Sequence, residues 1–514
     1  MQHAKERQRP PRNVAGPLFA FCVLHFAVLS CAKTAPVVVL AARQPFESTS
    51  ALSQLRDGIL VDTSGPGVRR GVWGIVAYSL DRQVPLFELN AGALLVPASS
   101  AKLVSVATAA EAAGWNYRYL TTLRAAGSVV NGVLRGDLLV VGSGDPSIGG
   151  PAGDDFSSWT NALKAAGIRR IEGRVIGDDD ALEEPRPQQA WAWDDLGYTS
   201  GAVFGALNFA ENRTSVSISP GSAEGAPTNL AVDARTTYRT LTNLALTGPR
   251  GSQLLLWPEQ RPGERALTIA GTIPVGTSPV TIGIAVGNPT LWFANALRTR
   301  LIRDGIEVTG EAVDIDDVHP TPDRAGSIVL FTHASRTLAE IAQPLLKDSI
   351  NLYAEALLRL NASPGAFPTN DAALDGLRTR LDTWGVERDS QQLIDGSGLS
   401  RRSTISAEAL ITVLRRMYDP TGGSPFMTGL PVAGIDGSLA NRMKRTPAEG
   451  QLRAKTGTMS NIRSLAGYVT TRDGEHLALV IMVNNFEGTG LQANDAIDRI
   501  AVRLASFSRK TADR

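Results

Sequence analysis

The stretch Pro-Ala-Ser-Ser-Ala-Lys (97–102) opens an alanine-rich run that ends at Gly114. The leading proline, the small residues and the closing glycine predict a helix that begins just before Ser99. Ser99 and Lys102 are three residues apart, so they lie on one face of that helix. A serine hydroxyl becomes a good nucleophile only when a base takes its proton, and a lysine with a lowered pKa can be that base. The alternative for this spacing is a solvated helix face.

The balance of the basic residues favours the catalytic interpretation of Lys102. The chain has eight lysines against 43 arginines. A guanidinium group cannot act as a base. The presence of a lysine at this position in an arginine-rich chain therefore favours a role that arginine could not fill. The formal net charge is only +1, which argues against a nucleic acid as the main partner.

Residues 1–32 have the pattern of a secretory signal, with a basic start and an apolar stretch from 15 to 32. We therefore expect an exported protein of the periplasm or cell envelope, with cleavage after Ala32. Three alternatives stay open: cleavage near Ala41, lipidation of Cys31, and an uncleaved segment that keeps the protein associated with the membrane. Because Cys22 and Cys31 both lie in this segment, the remaining chain has no cysteine for disulfides or metal sites.

The rest of the chain alternates between helical and strand-like patterns. A helix is predicted at 47–59, strands at 71–80 and 85–90, and a hairpin at 121–125 and 133–141. Short strand-like runs fill 226–285, and the segments 452–458, 467–471 and 476–483 read as strands before a C-terminal helix. The length of 514 residues predicts two or three domains. No metal-ligand spacing of His, Asp and Glu is evident between 150 and 322, so the sequence predicts no metal site.

Two later motifs carry polar side chains that could join Ser99. Ser349 and Asn351 flank one apolar residue just ahead of an amphipathic helix, where Ser349 could alternatively be a helix N-cap. Lys455, Thr456 and Gly457 lie in a strand-like segment. The loop 395–401 is polar and glycine-rich, but it is not the Gly-x-Ser-x-Gly elbow of α/β-hydrolases, which the sequence lacks.

The order Ser-x-x-Lys, Ser-x-Asn and Lys-Thr-Gly resembles the motif set of penicillin-binding proteins and serine β-lactamases. With their neighbouring residues, the motifs resemble the D-alanyl-D-alanine carboxypeptidase/endopeptidase family, the class C low-molecular-mass penicillin-binding proteins, from about residue 48 to 508. Ile350 departs from the aspartate that the family often has there. The resemblance implies an α/β (α+β) fold: a β-lactamase/transpeptidase-like domain with an antiparallel sheet flanked by helices, plus a large insert of two smaller, mostly-β domains.

The resemblance also implies a nested domain order. The catalytic domain would comprise 45–120 and 323–508, an inserted second domain 121–149 and 226–322, and a third domain nested within it 150–225. The interval of 250 residues between Ser99 and Ser349 is far longer than in β-lactamases and leaves room for this insert.

The implied chemistry assigns a role to each motif residue. Ser99 would attack the carbonyl of a peptidoglycan peptide that ends in D-Ala-D-Ala or carries a D-amino-acid cross-link, and Lys102 would accept its proton. Lys455 would be the cationic neighbour that keeps Lys102 neutral. Ser349 would relay a proton to the leaving amine, and Asn351 would position the substrate amide.

Substrate-binding roles follow by the same resemblance for Thr456, Gly457 and Thr458, with the backbone N–H groups of Ser99 and Thr458 as the oxyanion hole. Asp195 and Arg401 would meet the side chain of the stem peptide. β-Lactams would acylate Ser99 as covalent inhibitors, and no metal or organic cofactor is implied. Two alternatives stay open: a β-lactamase-like hydrolase and an inactive relative that only binds the cell wall.

Overall fold

The fold is taken from a computed structural model, which describes residues 50–150, 153–232, 240–260 and 266–509. The predicted signal segment, with Cys22 and Cys31, lies outside the described residues. Within these ranges, no helix combines the length and the apolar character that a membrane span requires.

The helices lie mostly at the two ends of the chain, where they surround the largest cores. They are α1 (Ser50–Thr63), α2 (Lys102–Ala113), α3 (Ser157–Ala165), α4 (Pro289–Arg303), α5 (Leu338–Asp348), α6 (Asn351–Arg359), α7 (Asn370–Thr383), α8 (Ala407–Met417), α9 (Pro425–Gly429) and α10 (Gly490–Ala505).

The strands are short in the middle of the chain and longer near its ends. They are β1 (Val72–Ser79), β2 (Val84–Leu89), β3 (Leu120–Val130), β4 (Val133–Val141), β5 (Arg170–Ile171), β6 (Val175–Asp178), β7 (Arg213–Ser219), β8 (Asn229–Val232), β9 (Leu241–Asn243), β10 (Leu246–Gly248), β11 (Leu255–Glu259), β12 (Leu267–Pro274), β13 (Val280–Ala285), β14 (Glu307–Val308), β15 (Ala312–Asp314), β16 (Ile328–Ala334), β17 (Gln391–Gln392), β18 (Thr404–Ile405), β19 (Leu452–Met459), β20 (Ile462–Thr470) and β21 (His476–Asn484).

An antiparallel sheet joins the two ends of the chain in the order β19-β20-β21-β1-β2. Alternate side chains of β21 enter two different cores. Leu479 and Ile481 pack toward α1 and α10, whereas Val480 and Met482 pack toward α2 and α8. Because both faces of the strand are covered by helices, its sequence is an almost continuous apolar run. The predicted antiparallel sheet flanked by helices is confirmed.

The predicted C-terminal helix is also confirmed. The residues of α10 that were expected to share one face are all buried against the sheet: Ala493, Ala496, Ile497, Ile500, Ala501 and Leu504. Thr489 and Gln492 form a capping box at its start, which satisfies backbone donors that the first turn leaves free.

In the middle of the chain, strands that are far apart in sequence pair with one another. The segments β5 and β6, which the prediction placed in a nested 150–225 domain, pair in parallel with β4 in a mixed sheet that also holds β3, β14, β15 and β16. In contrast, β7 pairs with β8 and β13. The reason is that β4 presents a free edge once β3 has paired with its other side, and the fully buried β6 fills that edge. Strand pairing between distant segments is not visible in local sequence patterns. The division into a catalytic and two nested domains stays a prediction.

Candidate active site

Ser99 lies in a tight turn that leads directly into a helix. A 3₁₀ turn spans Ala98–Ala101, and Lys102 is the first residue of α2. Ala98 has a positive φ of 47°, a strained conformation for a residue with a Cβ atom, and such strain is typical of functional sites. The turn leaves Ser99 half-buried, whereas Ser100 is fully buried and its Oγ is 2.7 Å from Ser464 Oγ.

Lys102 is fully buried, and its amine makes three polar contacts. Its Nζ lies 2.8 Å from Ser99 Oγ, 2.6 Å from Asn351 Oδ1 and 2.9 Å from the carbonyl oxygen of Ser397. Burial lowers the pKa of Lys102 to about 7, although two buried carboxylates, Asp395 and Glu355, raise it in part. A substantial neutral fraction therefore exists near pH 7, and in that form the amine can accept a proton.

Lys455 is the second fully buried lysine of this site. Its Nζ donates to Ser349 Oγ at 2.8 Å and to the carbonyl oxygen of Thr456 at 2.8 Å. Burial lowers its pKa well below the ordinary value, and the positive charge of Lys102 lowers it further. The charge of Lys102 therefore acts on Lys455, whereas the predicted effect of Lys455 on Lys102 stays a prediction.

The loop between α5 and α6 brings the second motif into the site. Ser349 closes α5 in a left-handed conformation with a φ of 62°, and Ile350, not Ser349, is the N-cap of α6. The structure therefore does not support the alternative that Ser349 is a helix N-cap. Asn351 is the first residue of α6, and its Nδ2 donates to the carbonyl oxygen of Ser200 at 2.8 Å. This contact connects the site to the inserted part of the chain.

The third motif occupies the edge strand β19, beside the turn that holds Ser99. Gly457 faces this turn, and a Cβ atom at this position would collide with Ser464 Oγ and lie 2.5 Å from the carbonyl oxygen of Pro97. The missing side chain therefore permits the strand to approach the turn closely. Thr456 Oγ1 donates to Ser438 Oγ at 2.7 Å, and Thr458 is exposed.

Replacing Gly457 by alanine is expected to push the strand away from the turn. Overpacking of this kind usually costs about 1–3 kcal/mol of stability. Because small misplacements are costly in catalysis, we expect acylation by labelled penicillin to slow by about 100-fold. Thermal unfolding and labelling rates check this result. Gly423→Ala is the matched control, since an added Cβ there meets no atom closer than 3.4 Å. Normal labelling of Gly457→Ala would contradict the close approach.

Asp195 and Arg401 are linked by the effect of the Arg401 charge on the Asp195 carboxyl group. Asp195 lies in a 3₁₀ turn at 193–195, and burial and then Asp194 raise its pKa, while Arg401 lowers it. Arg401 is exposed, and its guanidinium donates to the carbonyl oxygen of Ser460 at 3.4 Å, just beyond β19.

A group of buried residues behind Lys102 was missed by the sequence reasoning. Asp395 accepts hydrogen bonds from Trp191 Nε1 and from the backbone N–H of Ser400, at 2.9 and 2.7 Å. Glu355 on α6 is fully buried as well. A sequence signal for Glu355 did exist, because it is the one charged residue in the otherwise apolar run 352–358.

The structure also brings together three carboxylates for which the sequence predicted no metal-ligand spacing. Ligand oxygens of Asp179, Asp180 and Glu184 all lie within 4.8 Å of one another. Arg324 already pairs with Asp180 and with the neighbouring Asp178. Acidic groups of this kind are common without an ion, so we assign the cluster no role.

Taken together, a half-buried serine beside a buried lysine, next to the edge strand of an antiparallel sheet, defines the class of serine–lysine acyl-transfer enzymes. The chain belongs to the D-Ala-D-Ala carboxypeptidase 3 (S13) family, whose model matches residues 57–506. It is thus a serine-type DD-peptidase, a hydrolase that acts on peptidoglycan.

Similar proteins agree with this family. The chain is 32% identical to a D-alanyl-D-alanine carboxypeptidase of Actinomadura sp. (strain R39), over 92% of this chain and 89% of that protein. It is 23% identical to the D-alanyl-D-alanine carboxypeptidase DacB of Haemophilus influenzae, over 82% of this chain and 87% of that protein. The fold resembles the crystal structure of penicillin-binding protein 4 (dacB) from Haemophilus influenzae, with a TM-score of 0.75, 22% identity and coverage of 88% and 98% of the two chains.

Proposed function

We propose that Ser99 forms an acyl-enzyme with peptidoglycan stem peptides and so removes a terminal D-Ala or cleaves a D-Ala cross-link. The observation that carries this proposal is the 2.8 Å contact between Ser99 Oγ and the amine of the buried Lys102. This distance supports the proposal, because a proton can pass directly between two groups that are this close.

The contacts of Lys102 support its role as the base. A neutral amine has two hydrogens and one lone pair. Asn351 Oδ1 and the Ser397 carbonyl oxygen can only accept hydrogen bonds, so they take the two hydrogens. The lone pair is then left for the Ser99 hydroxyl, the remaining neighbour of the amine.

The proton and the bonds balance over two steps. Ser99 Oγ bonds to the substrate carbonyl carbon while its proton passes to Lys102, and the C–N bond to the leaving D-amino acid breaks. Ser349, held by Lys455, gives its proton to the leaving amine and takes one from protonated Lys102, which becomes neutral again. Water then attacks the ester carbonyl carbon while its proton passes to Lys102. Lys102 returns this proton to Ser99 Oγ as the ester C–O bond breaks and the acid product leaves.

The remaining motif residues serve substrate binding in this proposal. Thr456 and Gly457 belong to the strand along which the substrate peptide lies. Lys455 and Thr456 face the terminal carboxylate of this peptide. The backbone N–H groups of Thr458 and Ser99 form the oxyanion hole, whose donors are each worth about 3–4 kcal/mol in other enzymes.

The electrostatic pair at the edge of the site suits the stem-peptide side chain. We assign Asp195 and Arg401 to it, because a carboxylate beside a guanidinium matches the amine and the carboxylate of a diamino acid.

β-Lactams resemble the substrate and would acylate the same serine. A β-lactam complex is known for the structurally similar penicillin-binding protein 4 of Haemophilus influenzae. The basic and apolar pattern of residues 1–32 supports export to the cell envelope.

Acylation is expected to depend on pH through Lys102. Its pKa is lowered to about 7, and the neutral form that accepts the proton predominates above this value. The rate of acylation should therefore fall about tenfold for each pH unit below the pKa and level off above it. We call the range in which the rate rises with pH the acidic limb of the pH–rate profile. Labelling rates between pH 5 and 9 measure the position of this limb. A rate that is independent of pH across this range would contradict a neutral lysine base.

Digestion of purified muropeptides, with mass analysis of the products, tests the proposed function. Loss of one alanine from pentapeptides indicates carboxypeptidase action, and conversion of dimers into monomers indicates endopeptidase action. Nitrocefin provides the comparison with a β-lactamase. High turnover of nitrocefin with intact muropeptides would contradict the proposal.

A further inference from the structure

A buried carboxylate lies on the helix that follows the Ser349 loop, and the proposed mechanism does not use it. The two oxygens of Glu355 accept hydrogen bonds from the backbone N–H groups of Gly396 and Ser397, at 3.1 and 2.9 Å. Because each oxygen faces a donor, the contacts fit the ionised carboxylate. A charged group that is fully buried is costly unless it is paired in this way.

The backbone segment 396–397, which Glu355 binds, also contacts the amine of Lys102. The Ser397 carbonyl oxygen accepts a hydrogen from Lys102 Nζ at 2.9 Å. From the opposite side, Ser105 Oγ on α2 donates to the carbonyl oxygen of Gly396 at 2.6 Å. The segment 396–397 is therefore fixed by Glu355 of α6 and by Lys102 and Ser105 of α2. The position of the Ser397 carbonyl oxygen sets the direction of one N–H bond of the Lys102 amine. Because the amine is tetrahedral, this also sets the direction of its lone pair.

We propose that Glu355 is a positioning residue of this active site, which holds the Ser397 carbonyl oxygen against Lys102 and places a negative charge behind the amine. This inference rests on the proposed function of Ser99 and Lys102. The substrate does not touch Glu355, since the carboxylate acts through the backbone of 396–397.

The charged surroundings of the two groups agree with this role. Asp395 and Glu355 both raise the pKa of Lys102 against the effect of burial. Lys102 in turn lowers the pKa of the neighbouring Lys455. For Glu355 itself, burial and then Asp395 raise the pKa to about 7, whereas the hydrogen bonds from 396–397 and the charge of Arg359 lower it. The negative charge on Glu355 therefore predominates above this pH. Two buried carboxylates thus act on the pKa of the buried Lys102.

The test is the pH dependence of acylation by labelled penicillin in Glu355→Gln. Glutamine turns an NH₂ group toward one of the two backbone donors and removes the charge. We expect the rate to fall at least about tenfold, because the 396–397 segment shifts. We also expect the acidic limb to move to lower pH, because an anion that favours protonated Lys102 is lost. A folded Glu355→Gln protein with the limb at the wild-type pH would overturn the proposal.

Glu355→Asp separates charge from geometry. It keeps the negative charge but shortens the reach by one methylene, so the rate should fall while the limb keeps the wild-type position. A limb that moves equally in both variants would overturn the assignment of the shift to charge.

Two further variants keep the test decisive even if changes at Glu355 impair folding. Ser105→Ala removes the second anchor of 396–397 without changing any charge, and we expect a several-fold lower rate with an unmoved limb. A wild-type rate in Ser105→Ala would overturn the proposed anchoring. Asp62→Asn is the matched control for a lost buried carboxylate, because Asp62 pairs with Arg499 and Arg503 of α10 on the other face of the sheet. It should lower the unfolding temperature and leave the limb in place.

These outcomes are distinct from a failure of the proposed function. If Ser99 were not the nucleophile, Ser99→Ala would keep its labelling whatever the Glu355 variants do. A loss of labelling in Ser99→Ala together with a normal limb in Glu355→Gln would refute the positioning role alone.

Discussion

Replacing Ser99 by alanine is expected to abolish covalent labelling by penicillin and all cleavage of muropeptides. The change removes the side-chain oxygen that lies 2.8 Å from Lys102 Nζ. Loss of a serine nucleophile in other acyl-transfer enzymes costs about 10⁶-fold in turnover. Ser99 is only half-buried, and Lys102 is the one partner of its hydroxyl among the residues that the structure describes, so the fold should tolerate the substitution. Intact-protein mass analysis after incubation with penicillin measures the adduct.

The neighbouring serine makes this experiment informative. Ser100 precedes Lys102 by two residues, and its hydroxyl is buried against Ser464. It is therefore not available for attack. Ser363→Ala, an exposed serine far along the sequence, is the matched control and should label as the wild type does. Stoichiometric labelling of Ser99→Ala would show that the nucleophile had been assigned wrongly.

Replacing Lys102 by arginine is the second change with a large expected effect. The guanidinium group keeps a positive charge but cannot accept a proton from Ser99. General-base catalysis contributes about 10²–10⁴-fold, and we expect acylation to slow by at least this factor at every pH. The acidic limb near pH 7 should disappear, because the group that produces it has been removed.

The burial of Lys102 requires a check on folding. The larger side chain enters a fully buried space, so the unfolding temperature must be measured beside the labelling rate. Lys102→Gln, which is smaller and neutral, should lose acylation without overpacking. Lys164→Arg on α3 is an exposed control that should behave as the wild type does. A near-normal rate in Lys102→Arg would exclude Lys102 as the base.

The site could be assembled from the sequence because its motifs are local. Ser99 and Lys102 are one helical turn apart, and Ser349 and Asn351 flank a single residue, so each motif predicts its own geometry. The scarcity of lysine marked Lys102 and Lys455 among 43 arginines. The structure then shows that both amines are buried and that each contacts a motif serine.

The buried carboxylates could not be assigned in the same way. In the sequence, Glu355 is a single charge within an apolar helical run, and no partner for it can be identified. The structure supplies the partners, which are the backbone N–H groups of 396–397. Asp395 binds Trp191, which is 204 residues away in sequence. Such partners come together only through folding, and whether a buried charge is tolerated depends entirely on them. The grouping of β5 and β6 with β4 was missed for a similar reason, since parallel pairing joins segments that have no common local pattern.

The sequence by itself determined the family, the three motifs and the helix and sheet patterns of the catalytic region. Residue type and short-range spacing are sufficient for these, because helix and strand periodicity and the motif chemistry are local properties. Only the tertiary structure decided the electrostatic state of the site. The pKa values of Lys102 and Lys455 are lowered by burial, and burial is produced by long-range packing around them.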